Sequence, residues 1–346
     1  MFGRFEPFEV FRDQTLALGS TTSFNSQFPV GKPWHSLDLY FTATLTHGTG
    51  SGAFNENFLR VIKAINCWSP KNDYFWQNVP GRLAYQFSMD AFDRGVPTLQ
   101  QIAAVTGTYK CLLRIPFADK SVRKPSDFIL DTMGFSNMNL SFNIGTLADV
   151  LSSAGTDVLN SVVVTGVLNQ EPVPLVYQNP KNSADQAVKD AISNYYLSYF
   201  VAGTVDPTTV GFMDLPRAAD IAYYKLFAFH GEPTTSAGQP FSGITDNIGL
   251  RYTDFTLRTD SSIPLQNVKA EYLRDMWASN FPAVSAVLQP LSYWQLPFPI
   301  DGQKQGCLYS GDKSMLRLNW TLPAAGQASA GSQLSIGAKV WRKRSA

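Results

Sequence analysis

Met138-Asn-Leu-Ser-Phe-Asn-Ile144 and Leu316-Arg-Leu-Asn-Trp-Thr-Leu322 decide how this chain folds. In both, every second residue is apolar and the residues between are Asn, Ser, Arg or Thr. Successive side chains of an extended chain point to opposite faces, so each stretch reads as a strand with one face on a core. Ser36 to Thr46 alternates in the same way, with Leu37, Leu39, Phe41, Ala43 and Leu45 on one face. So do Leu334, Ile336, Ala338 and Val340 against Ser335, Gly337 and Lys339. One-sided strands are the habit of antiparallel sandwiches. Further strands are expected at Phe58 to Trp68, Tyr109 to Phe117, Ser161 to Leu168, Tyr223 to Phe229 and Gly249 to Leu257.

The two opening stretches also match each other, and they are not alone. Ile65 aligns with Tyr252, Trp68 with Phe255 and Tyr85 with Tyr272; then Ile115-Pro-Phe117 aligns with Leu296-Pro-Phe298. The separation between matched positions falls steadily along the chain, as it does when a second copy keeps the strands and shortens the loops. A duplication of a mostly β unit is therefore expected, each copy running strand, helix, strand. Helices are few. Ala184 to Tyr199 follows a 3.6 period, with Ser183 and Gln186 as a capping box and Gly203 as its stop. Shorter helices are expected at Arg82 to Phe92 and Leu265 to Phe281, and the Pro-rich run Glu171 to Pro180 reads as the way out of a first domain. The fold class expected is mainly β, two tandem eight-stranded jelly-roll sandwiches with a few short helices. The expected organisation is an N-terminal arm (1–27), a first roll (28–172), a connecting segment with a helix (173–215) and a second roll (216–346).

Composition points to surfaces rather than chemistry. Charged residues are 16 % of 346, against roughly 25 % in ordinary soluble domains, while aromatics reach 13 %. A chain short of Lys and Glu and rich in Phe and Tyr suits a protein that buries its exterior against copies of itself. The formal net charge of +1 gives no general attraction to nucleic acid, so no specific nucleic-acid binding is expected. Cys67, Cys111 and Cys307 are odd in number and far apart, which fits folding in a reducing cytoplasm. The start, Met1-Phe-Gly-Arg-Phe-Glu-Pro-Phe-Glu, lacks the apolar core of a signal peptide, and no apolar run is long enough to span a bilayer.

Leu37 to Thr46, the turn His47-Gly-Thr-Gly-Ser-Gly52 and Phe58-Leu-Arg-Val-Ile-Lys-Ala-Ile65 resemble the opening of bacterial-virus double jelly-roll capsid proteins. Leu112-Leu-Arg-Ile-Pro-Phe-Ala-Asp119, Pro125-Ser-Asp-Phe-Ile-Leu-Asp131 and the strand to Ile144 continue the resemblance, which spans about residues 28 to 168. The relatives implied are the major capsid proteins of tailless, lipid-containing icosahedral phages, in the lineage of tectiviruses, corticoviruses and the adenovirus hexon. The resemblance implies a homotrimer of six upright rolls in a virion shell assembled in the host cytoplasm. Its implied partners are neighbouring capsomers, penton and other minor capsid proteins, and an internal lipid membrane. The helix at 184–199 and the long stretch before Tyr223 depart from that pattern.

Chemical motifs are weak. His35, His47 and His230 show no ligand spacing, there is no Cys-x-x-Cys, and Gly48-Thr-Gly-Ser-Gly52 leads into another strand rather than a phosphate-binding helix. No catalytic residue, metal or cofactor is expected. Glu271, Arg274 and Asp275 read as a solvated ion-pair face. Asn139-Leu-Ser and Asn319-Trp-Thr fit the glycosylation triplet inside strands, where chance explains them. Two terminal features carry a functional expectation. Phe2, Phe5, Phe8 and Phe11 recur every third residue and read as an arm packing on its own domain or a neighbour, or as an anchor on internal lipid. Arg342-Lys343-Arg344 reads as a short basic tail that keeps a terminus soluble or faces the virion interior with only weak attraction for phosphate. The competing function is a carbohydrate-binding or carbohydrate-active β-sandwich, which the same architecture can carry.

Overall fold

The computed structural model describes residues 6–29, 32, 34–49, 58–91, 106–117, 137–149, 155–170, 195–231, 247–260, 265–278, 292–298, 307–323 and 330–343. Eight strands form the first unit: β1 (Glu6–Leu16), β2 (Ser20–Gln27), β3 (Trp34–Thr46), β4 (Ile62–Trp68), β5 (Tyr74–Val79), β6 (Gly107–Pro116), β7 (Asn137–Ile144) and β8 (Val158–Gln170). They pair in the orders β1-β8-β3-β6 and β5-β4-β7-β2. That interleaving of early and late strands in two facing sheets is a jelly roll. The alternating residues do what their spacing requires: Leu37, Leu39, Phe41, Leu140, Phe142 and Ile144 are all fully buried. Phe41 meets Phe142 edge-on at 5.7 Å, and Phe24 stacks on Phe142 at 5.6 Å, closing the two sheets over one core.

The second unit repeats the plan with β9 (Tyr195–Val205), β10 (Phe212–Asp214), β11 (Ile221–Gly231), β12 (Asp254–Thr259), β13 (Leu265–Lys269), β14 (Tyr293–Pro297), β16 (Leu316–Thr321) and β17 (Gln333–Lys343). A two-residue strand β15 (Leu308–Tyr309) is added beside β11. The sheets run β14-β11-β17-β9 and β10-β16-β12-β13, the same topology strand for strand. The helices are also in corresponding places. Short turns α1 (Phe58–Val61) and α3 (Ile248–Arg251) enter β4 and β12; α2 (Gly81–Ala91) and α4 (Ala270–Ala278) follow β5 and β13.

Irregularities shared by the two rolls establish the duplication more firmly than topology does. β1 slips against β8 between Glu9 and Phe11, leaving Val10 unmatched; β9 slips against β17 with Ala202 unmatched. β3 slips against β8 at His35, and β11 against β17 at Tyr224. In β5, Asn78 has φ +51° and its backbone N–H donates to Asn66 Oδ1 at 2.7 Å. In β13, Asn267 has φ +46° and its N–H donates to Thr256 Oγ1 at 3.0 Å. A left-handed non-Gly residue is uncommon and bulges are retained features, so three matched sites do not arise from alternation alone.

Pairing also fixes which residues correspond. Leu140 faces Cys67 and Phe142 faces Ile65, while Leu318 faces Leu257 and Trp320 faces Phe255. Leu140 and Leu318 are thus equivalent, and Phe117 and Phe298 each end the strand that follows the helix, as the sequence matches imply. The matches of Ile65 with Tyr252 and of Trp68 with Phe255 are corrected: Ile65 corresponds to Phe255, since the bulge residues Asn78 and Asn267 bond to its neighbours Asn66 and Thr256. Tyr85 and Tyr272 likewise part company, one buried and the other 60 % exposed.

Four expectations about boundaries are corrected. Residues 6–27 are not an arm; they are β1 and β2, one in each sheet of the first roll. The expected helix at 184–199 gives way, over its described residues, to β9 from Tyr195; residues 184–194 lie outside the described residues. β9 and β10 belong to the second roll rather than to a connecting segment. The helix expected from Leu265 begins only at Ala270, after β13. The run Glu171 to Pro180 lies outside the described residues.

Phe11 shows why the first residues belong to the fold. It lies over Gly166 on β8 and meets Phe24 edge-on at 5.0 Å. A Cβ on Gly166 would sit 2.3 Å from Phe11 Cζ. Gly166→Val is expected to dislodge the ring and lower stability by about 1–3 kcal/mol, the usual cost of overpacking. Urea unfolding checks this; an unchanged midpoint would show that β1 is not held by that contact.

Candidate assembly interface

The two rolls are joined through β5 and β9, which pair in parallel with Trp76 opposite Tyr199 and Gln77 opposite Phe200. One sheet of each roll thereby merges into a continuous nine-stranded sheet. Next to that seam lies α2. Pro80 starts it, its carbonyl accepting from the Ala84 N–H at 2.8 Å, and Gly81 is required because a Cβ there would lie 2.2 Å from the Leu59 carbonyl oxygen. Residues Gly81 to Met89 are all buried, which a helix on one sheet cannot achieve. One side of α2 rests on its own roll, where Ser88 Oγ accepts from the Arg114 N–H at 2.8 Å. The other side lies on the outward face of the second roll.

On that side Phe87 meets Phe227 and Tyr199, each at 5.0 Å between ring centroids. Gly337 makes room, since a Cβ there would come within 2.6 Å of Phe87 Cζ. The Arg82 guanidinium lies 4.9 Å over the Phe229 ring, and its carbonyl accepts from Tyr293 Oη at 3.1 Å. Gln86 Nε2 donates to the Trp294 carbonyl at 3.0 Å. At the end of α2, Asp90 receives Lys225 Nζ at 2.6 Å and Lys339 Nζ at 3.0 Å. All three charges are largely buried. Burial by itself would raise the Asp90 carboxyl, but the two ammonium groups outweigh it and hold the group down at about 2. The same apolar cluster that fills the first roll continues through Tyr199, Phe227, Phe229 and Tyr293 of the second. The rolls are fixed side by side by a strand pairing and a shared apolar cluster.

The sequence-derived site residues fall as follows. Phe2, Phe5 and Arg344 lie outside the described residues. Phe8 is 47 % exposed on β1, whereas Phe11 is inside the first core; of the contacts expected for it, Phe11 makes the one with its own domain, and its contact with a neighbour or lipid is corrected. Arg342 and Lys343 are the last residues of β17 and pair with Tyr196 and Tyr195. Arg342 lies 5.7 Å over the Phe200 ring, so part of the expected tail is strand. The histidines are far apart in role. His35 Nδ1 is 3.3 Å from Ser36 Oγ, His47 Nδ1 is 3.1 Å from Asp157, and buried His230 Nδ1 is 2.8 Å from Tyr252 Oη. Asp157 also accepts from the Gly48 N–H at 2.6 Å, which makes the start of the Gly-rich segment a pinned turn. Burial pushes the thiols of Cys67 and Cys111 well up, the reverse of what a nucleophile needs. Among the described residues no group of three or more His, Cys, Asp or Glu converges as a metal site. Sequence reasoning missed the Asp90–Lys225–Lys339 cluster. Its members are isolated charges in three elements, with no spacing signal to link them.

No family model matches the chain, and no curated protein sequence is similar to it. Solved structures are. The major capsid protein of bacteriophage PM2 aligns over 99 % of this chain and 98 % of its own, with a TM-score of 0.55 and 11 % identity. The major capsid protein of Sulfolobus turreted icosahedral virus aligns over 98 % and 97 %, with a TM-score of 0.60 and 9 % identity. The PBCV-1 virus capsid structure aligns over 100 % and 96 %, with a TM-score of 0.55 and 9 % identity. From end to end, this chain has the double jelly-roll fold of viral major capsid proteins.

Proposed function

We propose that this chain is the major capsid subunit of an icosahedral virion and acts as a homotrimer. The observation that carries the reading is the pair of equivalent rolls locked side by side, in a chain whose full length aligns with viral capsid proteins. A hexagonal tile needs six similar units around one axis. Two fused rolls supply two, so three chains close the ring. The low charge content and the surplus of Phe and Tyr supply the apolar contact area that such rings bury. In this reading the function resides in surfaces: trimers contact neighbouring trimers, penton and other minor capsid proteins at the vertices, and an internal lipid membrane below. The segment at Phe2 and Phe5 and the basic end at Lys343 and Arg344 are the proposed inward contacts. No catalysis and no specific nucleic-acid binding are part of it.

Native mass spectrometry of the purified protein at micromolar concentration tests the proposal. Three chains of 38.2 kDa in one particle, surviving dilution with little free monomer, is the expected result. A stable monomer would count against the capsid role.

A further inference from the structure

A cleft of about 310 Å³ opens where the two rolls meet, beside α2. The first roll supplies its charges: Arg60 from α1, Lys63 from β4, Arg82 from α2 and Asp149 after β7. The second supplies neutral groups, the Phe229 ring with Ser335 and Gln333. Among the described residues that line the cleft, three cations therefore face one carboxylate.

That carboxylate is already engaged. Lys63 Nζ lies 2.9 Å from Asp149, which also accepts from the Thr146 N–H at 2.6 Å. The pair is neutral overall, so the excess charge of the described lining is that of the two arginines. Arg82 is 6 % exposed, its guanidinium set 4.9 Å over Phe229. Arg60 is half-buried. Burial and the repulsion of Arg82, against a weaker pull from Asp149, push its guanidinium down to about 9. It is still a cation at neutral pH. Two guanidinium groups that repel each other in a partly desolvated cleft make a strong local preference for an anion.

Shape narrows the choice. A guanidinium presents paired N–H donors that fit the oxygens of a phosphate, and two of them match its two charges. A carboxylate would neutralise only one. The volume is that of a small-molecule site rather than of a lone ion, and Phe229 with Leu83 adds an apolar wall.

We propose that this cleft binds a phosphate monoester, with Arg60 and Arg82 clamping the phosphate and the Phe229 wall receiving the organic group. The ligand would then bridge both rolls. Gln333 starts β17 and Lys343 ends it, roughly 30 Å away at the usual rise of a strand. Lys343 is a proposed inward contact, so in a shell the cleft opens outward; only this orientation rests on the capsid reading.

Isothermal titration calorimetry of the purified full chain, with phenyl phosphate and separately with inorganic phosphate at fixed ionic strength, tests the proposal. Phenyl phosphate is expected to saturate one site per chain about tenfold more tightly than inorganic phosphate, because its ring is buried as well. It is also expected to raise the thermal transition, as a ligand of the folded state does. Arg60→Gln is expected to weaken phenyl phosphate by about tenfold or more, the loss of charge-assisted hydrogen bonds. Arg60→Lys, which keeps the charge but not the fork, is expected to weaken it less, and Lys110→Gln on another face not at all. No saturable binding to the wild type, or binding that both Arg60 variants leave unchanged, overturns the proposal. Equal affinity for the two ligands overturns the ester and leaves a site for free phosphate. A monomeric protein would bind in the same way, so the cleft and the ring fail separately.

Discussion

Deleting residues 1–16 is expected to destroy the first roll rather than to release an arm. β1 closes one sheet through its pairing with β8 from Glu6 to Leu16, and it carries Phe11 and Leu16 into the core. Its loss exposes the β8 edge and opens the end of the sandwich to water. Removing Phe11 alone to Ala is of the class that costs about 3–5 kcal/mol, and the deletion adds a whole strand of ladder hydrogen bonds. Most domains hold only about 5–15 kcal/mol in total. Limited proteolysis and circular dichroism of the truncated chain check the outcome. A truncated protein with the wild-type spectrum and melting transition would show that β1 is an appendage after all.

The second large effect is expected at Asp90. Asp90→Ala leaves Lys225 and Lys339 facing each other in a buried seam, a change of the kind that costs about 3–5 kcal/mol. Replacing all three by apolar residues of similar size is expected to recover much of that loss, since it removes the stranded charges with their partner. The pH dependence has a definite sign. Asp90 is held at about 2 in the fold against 3.8 for the ordinary group. Its contribution is therefore complete above the unfolded value and disappears as pH falls from about 4 towards 2. By linkage this amounts to on the order of 2 kcal/mol. Chemical denaturation of wild type and Asp90→Ala across that range should show the two stabilities converging in acid. A constant difference down to pH 2 would mean that the charge on Asp90 does not hold the rolls together.

These effects come from parts of the molecule with very different visibility in sequence. Strands with one buried face, such as those holding Leu140 and Leu318, announce themselves by alternation. β9 does not. It lies between β17 and β5 with Tyr196 to Phe200 all buried, Ser198 included, so no polar–apolar alternation marks it, and its apolar spacing passes for a helix. β1 is hidden for another reason. Phe8 and Phe11 are three apart, yet they pair with Leu168 and Gly166, two positions on the same side of β8, because the bulge at Val10 inserts one residue between them; only Phe11 is buried. A period of three is then a period of two with an insertion. The repeat was legible in its strands, but loops of unequal length shifted some matches, which only hydrogen-bond pairing could place. The inter-roll junction was not legible at all. Asp90, Lys225 and Lys339 are brought together by the docking of α2, and nothing local to any of them encodes that meeting.

Electron cryomicroscopy of the purified oligomer would reveal whether three chains close into a ring of six equivalent rolls. The expected map shows three copies around a threefold axis and six sandwiches at nearly sixfold spacing. A map of one isolated pair of rolls, or of copies without threefold symmetry, would contradict it.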